Sequence, residues 1–101
     1  MKHFVIGEED VVLGFRYAGI EGIVVKSPEE AYDALLRIRE NPQIGIIILQ
    51  DTFSMHLREE LTEIRLTTRT PLIVEIPGPS GRAEGRPYLL EMIQEAVGIK
   101  V

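Results

Sequence analysis

Cysteine is absent from the 101 residues of this sequence. Its absence excludes disulfide bonds, thiol catalysis and cysteine-ligated metals, and it is typical of proteins in a reducing cytosol. No apolar run approaches the roughly 20 residues that a helix needs to cross a bilayer, and the amino terminus lacks the parts of a signal peptide. We therefore expect a single cytoplasmic domain without direct membrane insertion.

An excess of positive charge is also absent. The sequence has 11 Lys and Arg against 16 Asp and Glu, which gives a net charge of −5 at pH 7. General binding to nucleic acid needs Lys and Arg to replace the counterions along the phosphates. We therefore predict that the partner is a protein or a small molecule and not a nucleic acid.

A phosphate-binding motif is missing from the place where it is most expected. The stretch Phe4–Ile20 predicts a buried strand, an acidic turn and a short helix, which is how an open α/β sheet begins. Neither G-x-G-x-x-G nor G-K-[S/T] is present, and Glu8, Glu9 and Asp10 stand where a nucleotide would place its own negative charge. The chain has the frame of a nucleotide-binding fold without its site, so no cofactor is predicted.

Apolar runs and helical periods alternate along the chain. The runs that predict strands are His3–Ile6, Gly22–Val25, Ile44–Leu49 and Leu72–Ile76. Helical stripes are formed by Val12, Phe15 and Gly19, by Ala31, Leu35 and Ile38, and by Leu57, Leu61 and Ile64. This alternation predicts an α/β fold: a single open parallel four-stranded sheet of order 2-1-3-4 in a Rossmann-like or receiver-like three-layer arrangement.

The second helix has the clearest boundaries. Ser27 is placed to cap it, Pro28 suits the first helical position, and Glu30 completes a capping box with Ser27. The pair Asn41-Pro42 then ends the helix.

The predicted topology leaves one face of the sheet half covered, because only the first helix lies on it. A fourth helix, Pro87–Val97, is a candidate to fold back there, and a partner protein is the alternative. We divide the chain into an α/β domain (1–76), a Gly/Pro loop that is a possible hinge (77–86), and a carboxyl-terminal helix and tail (87–101). The loop is longer than the about 4–6 residues typical of a connection.

Acidic residues near the predicted carboxyl edge of the sheet allow two interpretations. Glu8, Glu9 and Asp10 complement the positive end of the first helix, or they hold Mg²⁺. Asp51 follows the third strand, so Glu9, Asp10 and Asp51 resemble the phosphoacceptor site of a response-regulator receiver. The hydroxyl and lysine residues that close later receiver strands are missing. A small-molecule sensor using the edge from Gly7 to Asp10 is a third interpretation.

Other chemistry-bearing residues are isolated. His3 and His56 have no acid or second histidine at ligand spacing, and Ser80 has no histidine that would act as its base. We expect Glu75, inside an otherwise apolar strand, to lie on an edge strand and face solvent or a partner protein. The sequence therefore predicts no catalytic residue, no metal ligand and no enzyme activity of its own.

Two motifs resemble the F subunit of the rotary A-type/V-type ATPases. The first is the order glycine, acidic cluster, V-x-G-F and A-G-I between Gly7 and Ile20, and the second is P-[apolar]-I-V-x-I-P with a glycine loop between Pro71 and Gly81. Their separation and the chain length suit this family from end to end.

The resemblance implies a non-catalytic component of the central stalk, or rotor, of an A-type ATP synthase or V-type ATPase. Such a component binds the coiled-coil shaft subunit, contacts the catalytic A/B ring only indirectly, and serves ATP synthesis or hydrolysis coupled to proton or sodium transport. It is peripheral to the membrane, in the soluble sector. The carboxyl-terminal helix of the family changes position, so the partner-binding or hinge candidates are Gly78, Gly81, Arg82, Gly85, Arg86, Leu90, Ile93 and Val97.

Overall fold

The computed structural model of the chain describes residues 2–68 and 70–78. Its elements, in chain order, are β1 (Lys2–Gly7), α1 (Glu9–Tyr17), β2 (Glu21–Val24), α2 (Pro28–Ile38), β3 (Ile44–Gln50), α3 (Asp51–Ser54), α4 (Arg58–Thr67) and β4 (Leu72–Ile76). The predicted helix Pro87–Val97 and most of the loop before it lie outside the described residues.

The four strands form one parallel sheet of order β2-β1-β3-β4, which confirms the predicted α/β fold and strand order. In the register, Val5 of β1 lies opposite Gly22 of β2 on one side and Ile48 of β3 on the other. Ile48 in turn lies opposite Val74 of β4. β3 lies between β1 and β4, and it is apolar on both faces up to Gln50, as expected for a parallel strand without alternation.

Helices cover the two faces of the sheet unequally. α1 packs over β1 and β2 on one face, and α2, α3 and α4 lie on the other. The core is accordingly divided in two. The larger cluster contains Ile6, Val25, Ala31, Ala34, Leu35, Ile44, Ile47, Leu49, Phe53, Leu57, Leu61, Ile64 and Ile73. The smaller cluster, on the α1 face, contains Val5, Val11, Val12, Phe15, Ile20, Ile48 and Ile76.

α1 lies close to the sheet because β2 carries a glycine beneath it. A Cβ added at Gly22 would lie 2.6 Å from the backbone oxygen of Val5 and 3.2 Å from Cγ1 of Val12. α1 ends at Tyr17, and Gly19 follows with φ +84°, a left-handed conformation that favours glycine. The prediction that Gly19 belongs to the buried stripe of this helix is therefore wrong: Gly19 turns the chain away from it.

The predicted start of α2 is confirmed. Ser27 Oγ accepts a hydrogen bond of 3.1 Å from the backbone N–H of Glu30, and Pro28 is the first helical residue. The Glu30 carboxylate accepts from the backbone N–H of Lys26 at 2.9 Å, one residue earlier than in a standard capping box. Among the helices that the structure describes, none has the length and apolar character required to span a bilayer.

Candidate functional site

The carboxyl edge of the sheet is where open α/β sheets bind ligands, and here a glutamine side chain fills it. Gln50, the last residue of β3, is completely buried. Its Oε1 accepts a hydrogen bond of 2.8 Å from the backbone N–H of Glu8. Its Nε2 donates to Oε1 of Glu8 at 2.8 Å and to Oγ1 of Thr52 at 3.0 Å. Both N–H donors of the carboxamide are hydrogen-bonded, and its oxygen accepts a third bond. The carboxamide is therefore fixed between the ends of β1 and β3.

Two glycines make room for this carboxamide. A Cβ added at Gly7, at the end of β1, would lie 2.9 Å from Gln50 Oε1. A Cβ added at Gly78, just beyond β4, would overlap Gln50 Nε2 and lie 2.9 Å from Thr52 Oγ1. The backbones of β1 and of the chain leaving β4 therefore approach Gln50 as closely as only glycine allows.

The predicted acidic residues are divided between two elements. Glu9 and Asp10 are exposed in the first turn of α1, whereas Asp51 is half-buried at the start of α3. Oδ1 of Asp51 accepts a hydrogen bond of 3.3 Å from the backbone N–H of Gly78. The carboxylate of Glu8 is engaged by Gln50. Within residues 2–68 and 70–78, no three Asp, Glu or His side chains are placed to hold one metal ion.

Glu75 lies on β4, which is an edge strand as predicted, and its side chain is half-buried, with 20% of its surface exposed. Its Oε1 accepts a hydrogen bond of 2.6 Å from Ser54 Oγ, and its Oε2 lies 3.2 Å from an Arg65 nitrogen. Arg58 lies 3.3 Å from Oε1. The Ser54 hydrogen bond is the main cause that lowers the pKa of the Glu75 carboxyl, and the two arginines add to it against the opposing effect of burial. Contrary to the expectation of a carboxylate that simply faces solvent, Glu75 is bound by Ser54 of α3 and by two arginines of α4.

The α1 face of the sheet is apolar over β3 and β4. Ile46 and Val74 are half-buried there, and Leu72, on the same side of β4, is 56% exposed. Leu13 and Tyr17 of α1 are also exposed. We call Ile46, Leu72 and Val74 the open strip of the sheet. α1 is the one helix of the described residues on this face, and it leaves the strip partly exposed, as the predicted topology implies.

Residues 4–93 match the sequence model of the family described as ATP synthase (F/14-kDa) subunit. The chain belongs to this family. Similar proteins include the A-type ATP synthase F subunit of Methanococcus maripaludis, strain C6, with 32% identity over 100% of this chain and 99% of the relative. The F subunit of Methanocaldococcus jannaschii is 31% identical over the same shares of the two chains. That of Thermoplasma acidophilum is 35% identical over 96% of this chain and 91% of its own. The predicted resemblance is confirmed.

Of the partner-binding or hinge candidates in this member of the family, the structure describes only Gly78. The others, Gly81, Arg82, Gly85, Arg86, Leu90, Ile93 and Val97, lie outside the described residues, as does Ser80. His3 is half-buried and His56 is exposed. Sequence reasoning missed Gln50. The sequence pattern that could have indicated it is a single polar residue, Gln50, at the end of the apolar run Ile44–Leu49 and directly before Asp51.

Proposed function

We propose that this chain is a non-catalytic component of the central stalk of an A-type rotary ATP synthase, where it binds the coiled-coil shaft subunit. The observation that carries the proposal is the similarity to A-type F subunits over the whole length of both chains. In this role the chain stiffens or positions the shaft, ATP is handled by the surrounding catalytic ring, and the coupled ion is proton or sodium.

The carboxyl edge of the sheet supports a function in protein binding and not in nucleotide binding. In a nucleotide-binding protein of this architecture, that edge presents backbone N–H groups to phosphate. Here the N–H of Glu8 is bonded to Gln50 Oε1, and the Glu8 carboxylate lies at the same turn. A phosphate would meet both an occupied donor and a negative charge. Binding of a protein partner requires neither a free N–H at this turn nor the absence of negative charge.

We further infer that residues 77–86 act as a hinge and residues 87–101 as an exchangeable latch. The open strip supports this proposal, because it offers an apolar surface to the stripe formed by Leu90, Ile93 and Val97. A shaft surface that binds the same stripe would compete with the strip and move the latch. The glycines Gly81 and Gly85 would supply the bend, Gly78 is where the hinge joins the sheet, and Arg82 and Arg86 would contact the partner.

Co-expression with the shaft subunit encoded by the same organism tests the proposed function. We expect a stable one-to-one complex at micromolar concentration by size-exclusion chromatography with light scattering. Ile93→Asp should weaken the complex at least about tenfold, since it places a charge in the apolar stripe. Glu95→Gln, on the opposite side of the predicted helix, should change the affinity less than about threefold. Failure of the wild-type chain to associate would contradict the proposal.

The receiver-like alternative makes a different prediction. It requires Mg²⁺-dependent labelling of Asp51 by acetyl phosphate, lost in Asp51→Asn. We expect no labelling, because Oδ1 of Asp51 accepts the Gly78 N–H and the neighbouring edge is filled by Gln50. Labelling that depends on Asp51 would favour the receiver-like function.

A further inference from the structure

The backbone just after β4 is held by contacts with side chains at and just after the end of β3. Gly78 lies two residues beyond the strand, and its backbone N–H donates to Oδ1 of Asp51 at 3.3 Å. Its Cα lies against the Gln50 carboxamide and the Thr52 hydroxyl, so closely that a Cβ would collide with both. Asp51 therefore bonds one backbone position after β4, and Gln50 and Thr52 lie against the same position.

Of these side chains, Gln50 also holds the turn after β1. Gln50 bonds both the backbone N–H and the carboxylate of Glu8, which immediately precedes α1. The ends of β1, β3 and β4 are thus joined through residues 50–52. We call this set, made of Glu8, Gln50, Asp51, Thr52 and Gly78, the clasp.

We propose that the clasp fixes the exit point of the carboxyl-terminal segment, with Asp51 as its positioning residue, and that bending of the hinge begins after Gly78. This inference deepens the proposed function and rests on it for the importance of residues 79–101. Of the proposed hinge, residues 77–86, Pro77 and Gly78 are then the part that is held to the sheet. The Asp51 carboxylate, placed like a receiver phosphoacceptor, serves as an acceptor for the backbone.

A fixed exit point has a thermodynamic consequence for partner binding. If Gly78 were released, the following segment would sample more directions in the free chain, and binding would have to remove that additional freedom. The clasp therefore favours binding by limiting the conformations of the free state. Its loss should weaken shaft binding without removing any contact between the two proteins.

Hydrogen exchange in the full-length, ¹⁵N-labelled free chain tests the first step. Asp51→Ala removes the acceptor, and the amide of Gly78 should exchange at least about tenfold faster than in the wild type. Asp51→Asn keeps an acceptor oxygen, so we expect exchange within about threefold of the wild type. Glu9→Ala, which removes an exposed carboxylate at the same edge, is the matched control and should leave Gly78 unchanged.

A second variant acts on the same contact by sterics. Gly78→Ala should also accelerate exchange at position 78, because its Cβ cannot occupy the space of the Gln50 carboxamide. Unchanged exchange at position 78 in both Asp51→Ala and Gly78→Ala would overturn the clasp. An accelerated rate in Glu9→Ala equal to that in Asp51→Ala would overturn it as well, since the effect would then be general to the edge.

Affinity for the shaft subunit tests the second step. We expect Asp51→Ala to weaken the complex about three- to tenfold and Asp51→Asn to restore it. Equal affinities for the wild type and Asp51→Ala would overturn the link between the clasp and binding, while the proposed function would stand. A wild-type chain that forms no complex would overturn the proposed function, and the exchange rates of Gly78 would still decide whether the clasp holds the exit point.

Discussion

At the scale of single residues, two polar side chains of an otherwise apolar sheet link its strands to neighbouring elements. Glu75 joins β4 to Ser54 of α3 and to two arginines of α4. Gln50 joins the ends of β1 and β3. Gln50 is completely buried and the Glu75 side chain is only 20% exposed, and a buried polar group without a partner costs free energy. Each therefore matters more for stability than an exposed residue of the same type.

Glu75→Gln removes the charge and keeps the shape. At pH 7 we expect it to lower the free energy of unfolding by about 1–2 kcal/mol, mainly through a weaker hydrogen bond with Ser54. Urea unfolding monitored by circular dichroism measures this. Glu63→Gln, an exposed site on α4, is the control and should stay within about 0.5 kcal/mol of the wild type.

The effect of Glu75 should depend on pH in a defined direction. Its pKa is lower in the folded chain than its ordinary value, so the unfolded chain binds the proton more tightly. The stabilisation is complete above the unfolded pKa and is lost as the pH falls through the lower, folded pKa. The difference between the wild type and Glu75→Gln should therefore shrink as the pH is lowered from 7 toward 3. A difference that stays constant would contradict this assignment.

Gln50→Ala leaves a cavity and removes the partners of the Glu8 N–H and carboxylate. We expect the free energy of unfolding to fall by about 2–4 kcal/mol in urea titration. Gln43→Ala is the matched control, because Gln43 is exposed before β3, and it should have an effect within about 0.5 kcal/mol. Equal effects of the two substitutions would contradict the described role of Gln50.

At the scale of elements, the start of α2 is held by a local hydrogen bond. Ser27→Ala removes the acceptor of the Glu30 N–H, and we expect a loss of about 1 kcal/mol in the free energy of unfolding by urea titration. Ser27→Asp retains an oxygen acceptor next to the positive end of the helix and should remain within about 0.5 kcal/mol of the wild type. A larger loss in Ser27→Asp than in Ser27→Ala would show that the cap is not the cause.

Long apolar runs and helix caps in the sequence predict the corresponding strands and helix starts correctly. The apolar run Ile44–Leu49 forms β3, and the Ser27 cap and Pro28 mark the start of α2. The single turn of α3, Asp51–Ser54, is not predicted, because four residues carry no helical period. Gly19 fits the spacing of the first helical stripe, although its positive φ ends that helix.

At the scale of the whole molecule, the buried residues that the structure describes form two core clusters between Val5 and Ile76. We therefore expect a chain that ends after Arg86 to keep the far-UV circular dichroism signal of the α/β domain, residues 1–76. It should also unfold in a cooperative urea transition. We expect the same truncation to weaken shaft binding at least about tenfold, since it removes the proposed latch. Loss of cooperative unfolding in the truncated chain would contradict the division between residues 1–76 and the later segments.

The strand order and the family could be predicted from the sequence, as could the part of the sheet that the described helices leave exposed. Apolar runs, helical periods and short motifs are local in the chain, and the right-handed crossover rule converts their order into a topology. Which polar groups meet could not be predicted, because their partners are far apart in the chain. Gln50 and Glu8 are 42 residues apart, and Ser54 and Glu75 are 21 apart. Such pairs are set by the sheet register and by how closely the backbones of Gly7 and Gly78 approach, and neither is written in any local pattern.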